Sequence, residues 1–102
     1  MAKRNVKWTK TADRQYFEVL NYWVQRNKSA TYSKKLIKKV SELTNQISIA
    51  PEMYKKVEIK NTHVAILGNY SLYYKIVEEN IIVTAFWDNR RGPAKLLEYL
   101  KS

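Results

Sequence analysis

The sequence contains no cysteine, so disulfide scaffolds, thiolate-held zinc and thiol nucleophiles are all excluded. Its single histidine, His63, leaves no basis for a histidine-built metal site, and no metal or cofactor is expected. Only two glycines and two prolines are present, which argues against a low-complexity or disordered chain. No apolar run approaches the length needed to span a bilayer, and no membrane partner is expected. The basic stretch Met1-Ala2-Lys3-Arg4-Asn5 is followed by no apolar segment. A cytoplasmic protein without a signal peptide is therefore expected.

Acidic residues are the other scarcity. Nine Asp and Glu face nineteen Lys and Arg, for a net charge of +10. The imbalance is local: residues 1–60 carry fourteen basic and five acidic side chains, and residues 61–102 carry five and four. A small domain this basic usually meets a polyanion, whether nucleic acid, an acidic protein or a charged surface. At 102 residues the chain makes one domain, spanning residues 1–102.

The hydrophobic period changes along the chain. Lys3 to Trp8 alternates, with Val6 and Trp8 on one side, which predicts a half-buried strand. Thr9 or Thr11 can cap a helix that has Asp13 in its first turn. That helix is predicted over residues 12–26, with Ala12, Tyr16, Val19, Leu20 and Trp23 on one face. After Asn27-Lys28, Ser29 can cap a second helix over residues 30–48, whose buried stripe is Leu36, Val40, Leu43 and Ile47. Lys34, Lys35, Lys38 and Lys39 occupy its far side and flanks, a pattern that a solvated helix face explains. Pro51 stops the helix.

Glu52 to Asn61 reads as a polar loop with room for a short strand. Three strands follow: His63–Leu67, Tyr70–Val77 and Ile81–Trp87, joined by tight turns at Gly68-Asn69 and Glu78-Glu79-Asn80. Asp88 to Gly92 is a polar loop, and Pro93 opens a short C-terminal helix carrying Leu96, Leu97 and Leu100. The order βααβββ plus a terminal helix predicts an α+β fold, a helical hairpin packed on an antiparallel sheet. The first strand returns to lie beside the strand 81–87. The other sheet face is open or covered only by the C-terminal segment.

This order and three local stretches resemble the RelE/ParE superfamily of toxins from bacterial type II toxin–antitoxin modules. The stretches are Arg26-Asn27-Lys28-Ser29 with Tyr32-Ser33-Lys34-Lys35-Leu36-Ile37, then Asn69-Tyr70-Ser71-Leu72-Tyr73-Tyr74-Lys75-Ile76. The last is Phe86-Trp87-Asp88-Asn89-Arg90-Arg91-Gly92-Pro93-Ala94-Lys95-Leu96. The resemblance runs from Val6 to Leu97. It implies a growth-arresting toxin neutralised by a cognate antitoxin whose extended or helical segment wraps it; the +10 charge makes that antitoxin acidic. RelE-like members are endoribonucleases that cut messenger RNA in the ribosomal A site; ParE-like members bind DNA gyrase and are not known as enzymes. The leading expectation is ribosome-dependent mRNA cleavage, with ribosome and mRNA as partners. The alternative is non-enzymatic inhibition of gyrase. A plain nucleic-acid-binding module is a third reading, and both a homodimer and a toxin–antitoxin hetero-oligomer stay open.

Metal-free cleavage by a 2′-hydroxyl needs a base, an acid for the leaving oxygen, and cations on the phosphate. Arg90 and Arg91 match the family's basic position at the end of the last strand and can grip phosphate oxygens. Contact with the Asp88 carboxylate is the competing reading for them. Lys55 and Lys56, in the loop before the sheet, would hold RNA backbone. His63 titrates nearest neutrality and is the candidate general base, although related sequences usually carry Arg there. Tyr73 and Lys75 would offer a stacking and phosphate surface. Two departures count against a full nuclease set: Ser71 stands where many RelE-like nucleases have Arg, and Leu96 and Leu97 stand where several place a His-Tyr or Tyr pair, with Tyr99 beyond that position.

Overall fold

The computed structural model describes residues 3–101. Met1, Ala2, Ser102 and the side chains of Tyr99 and Lys101 lie outside that description, and with them the start of the stretch read above for a leader. Strand β1 (Asn5–Trp8) leads through Thr9 into helix α1 (Lys10–Asn27), and α2 (Thr31–Ile49) follows after three residues. A 3₁₀ turn at Pro51–Met53 and a two-residue strand β2 (Lys55–Lys56) precede the meander β3 (Thr62–Leu67), β4 (Tyr70–Val77) and β5 (Asn80–Asp88). Helix α3 (Pro93–Lys101) closes the chain. Every element read from the sequence is present, and β2 is the short strand for which the polar loop had room.

Local chemistry sets the boundaries. The Thr9 hydroxyl accepts from the Ala12 N–H at 3.1 Å and Asp13 sits in the first turn of α1. Lys28 ends that helix in the left-handed conformation, at φ 54°. The cap expected at Ser29 moves by one residue: Ala30 is the N-cap of α2 and offers no side-chain acceptor. Ser29 Oγ still accepts from the Thr31 N–H at 3.2 Å.

The five strands are ordered β1-β5-β4-β3-β2. The meander pairs are antiparallel, as tight hairpins require. β1 lies beside β5 as expected but runs parallel to it, in register Asn5↔Asn80 to Trp8↔Val83. The sheet is therefore mixed rather than wholly antiparallel. Parallel pairing needs a long crossover, and the helical hairpin supplies it: α1 starts where β1 stops and crosses back over the sheet.

Two cores result. The hairpin face buries Leu36, Val40, Leu43 and Ile47 against Leu72, Tyr74, Ile81, Val83 and Phe86. The opposite face packs Ala85 and Trp87 against Leu96 and Leu100 of α3. One irregularity divides β5 between them. Tyr73 pairs with Ala85 but Tyr74 pairs with Val83, so Thr84 is an extra residue in the ladder. This β-bulge reverses the alternation. Before it Ile81 and Val83 face the hairpin; after it Phe86 and Asp88 do, and Ala85 and Trp87 turn to α3.

Candidate functional site at the end of the last strand

The bulge determines what gathers at the end of β5. Strict alternation would have sent Asp88 to the α3 side; instead it pairs with Tyr70 on the hairpin side. There the second half of α1 faces it, and a cavity of about 360 Å³ opens between them. Its walls include Gln15, Val19 and Tyr22 of α1, Tyr70 and Phe86 of the sheet, and Asp88 with Arg90 at the rim.

Gln15 is the buried anchor of this cavity, only 7% exposed. β1 has ended before it can pair with the second half of β5, so the Phe86 N–H lacks a strand partner on that side. Gln15 Oε1 accepts it at 2.9 Å. The Gln15 Nε2 donor is buried without a hydrogen-bond partner.

Arg90 is held at four points. Its Nε and Nη2 donate to the two Asp88 carboxylate oxygens at 2.9 and 2.8 Å, and its backbone N–H donates to Asp88 Oδ1 at 2.9 Å. Its guanidinium stands 5.8 Å from the Trp23 ring centroid. These charge-assisted bonds hold the Asp88 carboxyl below its ordinary pKa and push that of the guanidinium up. Beneath them, Trp23 Nε1 donates to the Tyr70 hydroxyl at 2.7 Å, and Tyr70 stacks on Phe86 at 5.2 Å. Burial raises the Tyr70 pKa despite that bond. Trp23 also packs on Tyr32 at 4.8 Å, tying the cluster to the start of α2.

Arg91 also lines the cavity, but its guanidinium takes a different partner. Its N–H donates to the Asp88 carbonyl at 3.0 Å, which closes the turn, and its guanidinium lies 4.9 Å from the ring of Trp87 on the α3 side. The two guanidiniums that adjoin in sequence thus rest on different rings, Trp23 of α1 and Trp87 of β5. The loop is pinned further by Ser71, whose hydroxyl donates to Asn89 Oδ1 at 2.7 Å, and by the Asn89 N–H on the Asn69 carbonyl at 2.7 Å.

The remaining sequence-predicted residues lie elsewhere. His63 pairs with Tyr74 across β3 and β4, while Arg90 follows the Tyr70↔Asp88 pair. Four residues of β4 separate these positions, about 13 Å along the strand, and β3 and β5 flank β4 on opposite sides. His63 stacks on Tyr74 at 5.4 Å, with Nδ1 buried and unpartnered. Lys56 pairs with His63 and Lys55 with Val64, both lysines exposed. Tyr73 packs into the α3 core, and Lys75, half-buried, points to the same face. The structure brings Lys56 beside His63, and Arg90 beside Asp88, but does not bring these two groups together. Gln15, Trp23, Tyr70 and Asp88 were not singled out as site residues from the sequence, although Asp88 was named as a competing partner for the arginines.

Comparison with known proteins follows the same outline. The family model described as ParE toxin of type II toxin–antitoxin system, parDE, matches residues 6–93. No curated protein sequence matches. Among solved structures, the chromosomal ParDE system of P. aeruginosa superposes with a TM-score of 0.71 at 12% identity, covering 82% of this chain and 94% of that one. The toxin–antitoxin complex RelBE2 of Mycobacterium tuberculosis gives 0.62 at 20% identity, covering 83% and 96%. A free double-arginine mutant of E. coli toxin RelE gives 0.61 at 14% identity, covering 97% and 95%. These likenesses concern the fold.

Proposed function

The chain belongs to the ParE toxin family of type II toxin–antitoxin systems, and from that membership we propose that it arrests growth by binding DNA gyrase, without cleaving RNA. The observation that supports this reading is the splitting of the candidate chemistry. Cleavage at a phosphate needs a proton-transfer group and a cation within hydrogen-bond reach of the same bond. Here Arg90 is engaged by Asp88 and Trp23, Arg91 rests on Trp87, and His63 stands across β4 from both. What does converge at the end of β5 is an aromatic-walled cavity rimmed by an oriented arginine. Aromatic and arginine side chains around a pocket are the usual anchors of protein recognition. The antitoxin, the partner expected of a type II toxin, is acidic to match the +10 charge, and steering makes its association fast and salt-sensitive.

One preparation of toxin freed from its antitoxin tests the target. Purified gyrase should lose supercoiling activity, and transcripts in a translating extract should stay intact. Arg90→Ala should weaken gyrase inhibition at least about tenfold, as for an interface anchor. Cleaved transcripts with unimpaired supercoiling would transfer the assignment to ribosome-dependent cleavage, with Lys55, Lys56, His63, Tyr73 and Lys75 the residues to examine next.

A further inference from the structure

Helix α2 carries its charge against its own electrostatics. Lys34, Lys35, Lys38 and Lys39 are all exposed and lie in its first nine residues. The first turn contains no acid. Lys34 faces Lys38, and Lys35 faces Lys39, at i,i+4, where like charges repel. Cations at this end also oppose the helix dipole, which favours anions there. Glu42 is the only acid on the helix, and among the described residues the ion pairs are Arg14 with Glu18 and Arg90 with Asp88. Among the described residues the four ammonium groups form no ion pair, and Glu42, four residues after Lys38, is the one acid near them along the helix.

We propose that this lysine face binds the phosphate backbone of duplex DNA. The buried stripe of α2 is committed to the core through Leu36, Val40, Leu43 and Ile47, and the exposed Tyr32 and Ile37 are two separate side chains rather than the continuous apolar stripe a membrane-surface helix needs. Protein interfaces are depleted in lysine, and four of the nine residues from Thr31 to Lys39 are lysine. Single strands are held by stacking on a series of rings, and Tyr32, packed against Trp23, is the one ring among these lysines. A straight rod with lysines about 6 Å apart along its axis instead matches a regular line of phosphates. The choice of DNA over RNA rests on the gyrase reading, since gyrase works on duplex DNA; the lysine face would add a hold on the substrate beside the hold on the enzyme.

The test is fluorescence anisotropy of a labelled mixed-sequence duplex of about 20 base pairs with antitoxin-free toxin, from about 50 to 200 mM salt. Four phosphate contacts contribute a slope of about −3.6 in log affinity against log salt, or about 150-fold over that range. Replacing Lys34, Lys35, Lys38 and Lys39 together by Gln should remove most of that slope. Its melting temperature should match or exceed that of the wild type, because repelling neighbours are gone. A charge-matched variant with Lys7, Lys10, Lys60 and Lys95 changed to Gln should keep the slope. Equal losses in the two variants would overturn the proposal, as would displacement by duplex RNA or by a single strand as effectively as by duplex DNA. Gyrase inhibition measured on the same α2 variant separates the two readings: loss of DNA binding alone leaves the gyrase contact at the end of β5 intact.

Discussion

Gln15→Met tests the device that holds the second half of β5. The substitution keeps length and volume but removes the acceptor that takes the Phe86 N–H at 2.9 Å. That N–H is buried beneath α1, beyond the end of β1, and no backbone acceptor is placed to replace the lost partner. An orphaned buried donor costs about 1–3 kcal/mol. Part of this returns, because the Gln15 Nε2 is itself buried without a partner and disappears too. A net loss of about 1–2 kcal/mol remains, and for a domain of this size it lowers the melting temperature by about 4–16 °C. Thermal unfolding followed by circular dichroism gives the first number. Amide hydrogen exchange gives the second, site-specific one: the Phe86 amide should lose protection selectively, while Leu72 and Val83 keep theirs. An unchanged melting temperature with Phe86 still protected would refute the claim that the glutamine closes the ladder where β1 runs out.

Two other perturbations read separate parts of the fold. Asp88→Asn removes the carboxylate that Arg90 holds below its ordinary pKa. A depressed carboxyl stabilises above its unfolded pKa of about 3.9 and loses that contribution as pH falls through the lower folded value. Melting curves of wild type and variant should therefore differ by a few degrees at neutral pH and converge in acid; a difference that grows in acid would contradict the pairing. Tyr74→Phe deletes a fully buried hydroxyl that donates to the Pro51 carbonyl and leaves that oxygen unpaired. It should cost about 1–3 kcal/mol in chemical denaturation, and a loss below about 0.5 kcal/mol would show that the carbonyl finds another donor.

The elements were legible because their periods are clean. The stripe Leu36, Val40, Leu43, Ile47 and the alternation Tyr70, Leu72, Tyr74, Ile76 each define one buried face, and the structure buries those faces. The direction of β1 was not legible, since nothing local in Val6 and Trp8 distinguishes parallel from antiparallel pairing. The bulge was hidden for a different reason. Ala85, Phe86 and Trp87 are all apolar, so a reversal of faces among them leaves no polar residue out of place. Gln15 was missed because apolar periodicity passes over a polar side chain whose partner is a backbone amide far along the chain. Position at the end of the last strand drew attention to Arg90 and Arg91 as candidate cations, and both line the cavity there. Their separation onto Trp23 and Trp87 follows from the turn closed by the Arg91 N–H on the Asp88 carbonyl, which composition does not reveal.

The pairing of β1 with β5 also fixes an order of events during synthesis. β1 is the first of the five described strands to be made, and its neighbour in the sheet, β5, is the last of them. Until β5 emerges, β1 has no ladder and α1 lacks the strand it packs on most, because the contacts of both with β5 join distant parts of the chain. The rim at Asp88 and Arg90 cannot take shape before that closure. The candidate site at the end of β5 is therefore completed in one late folding step rather than growing with chain length.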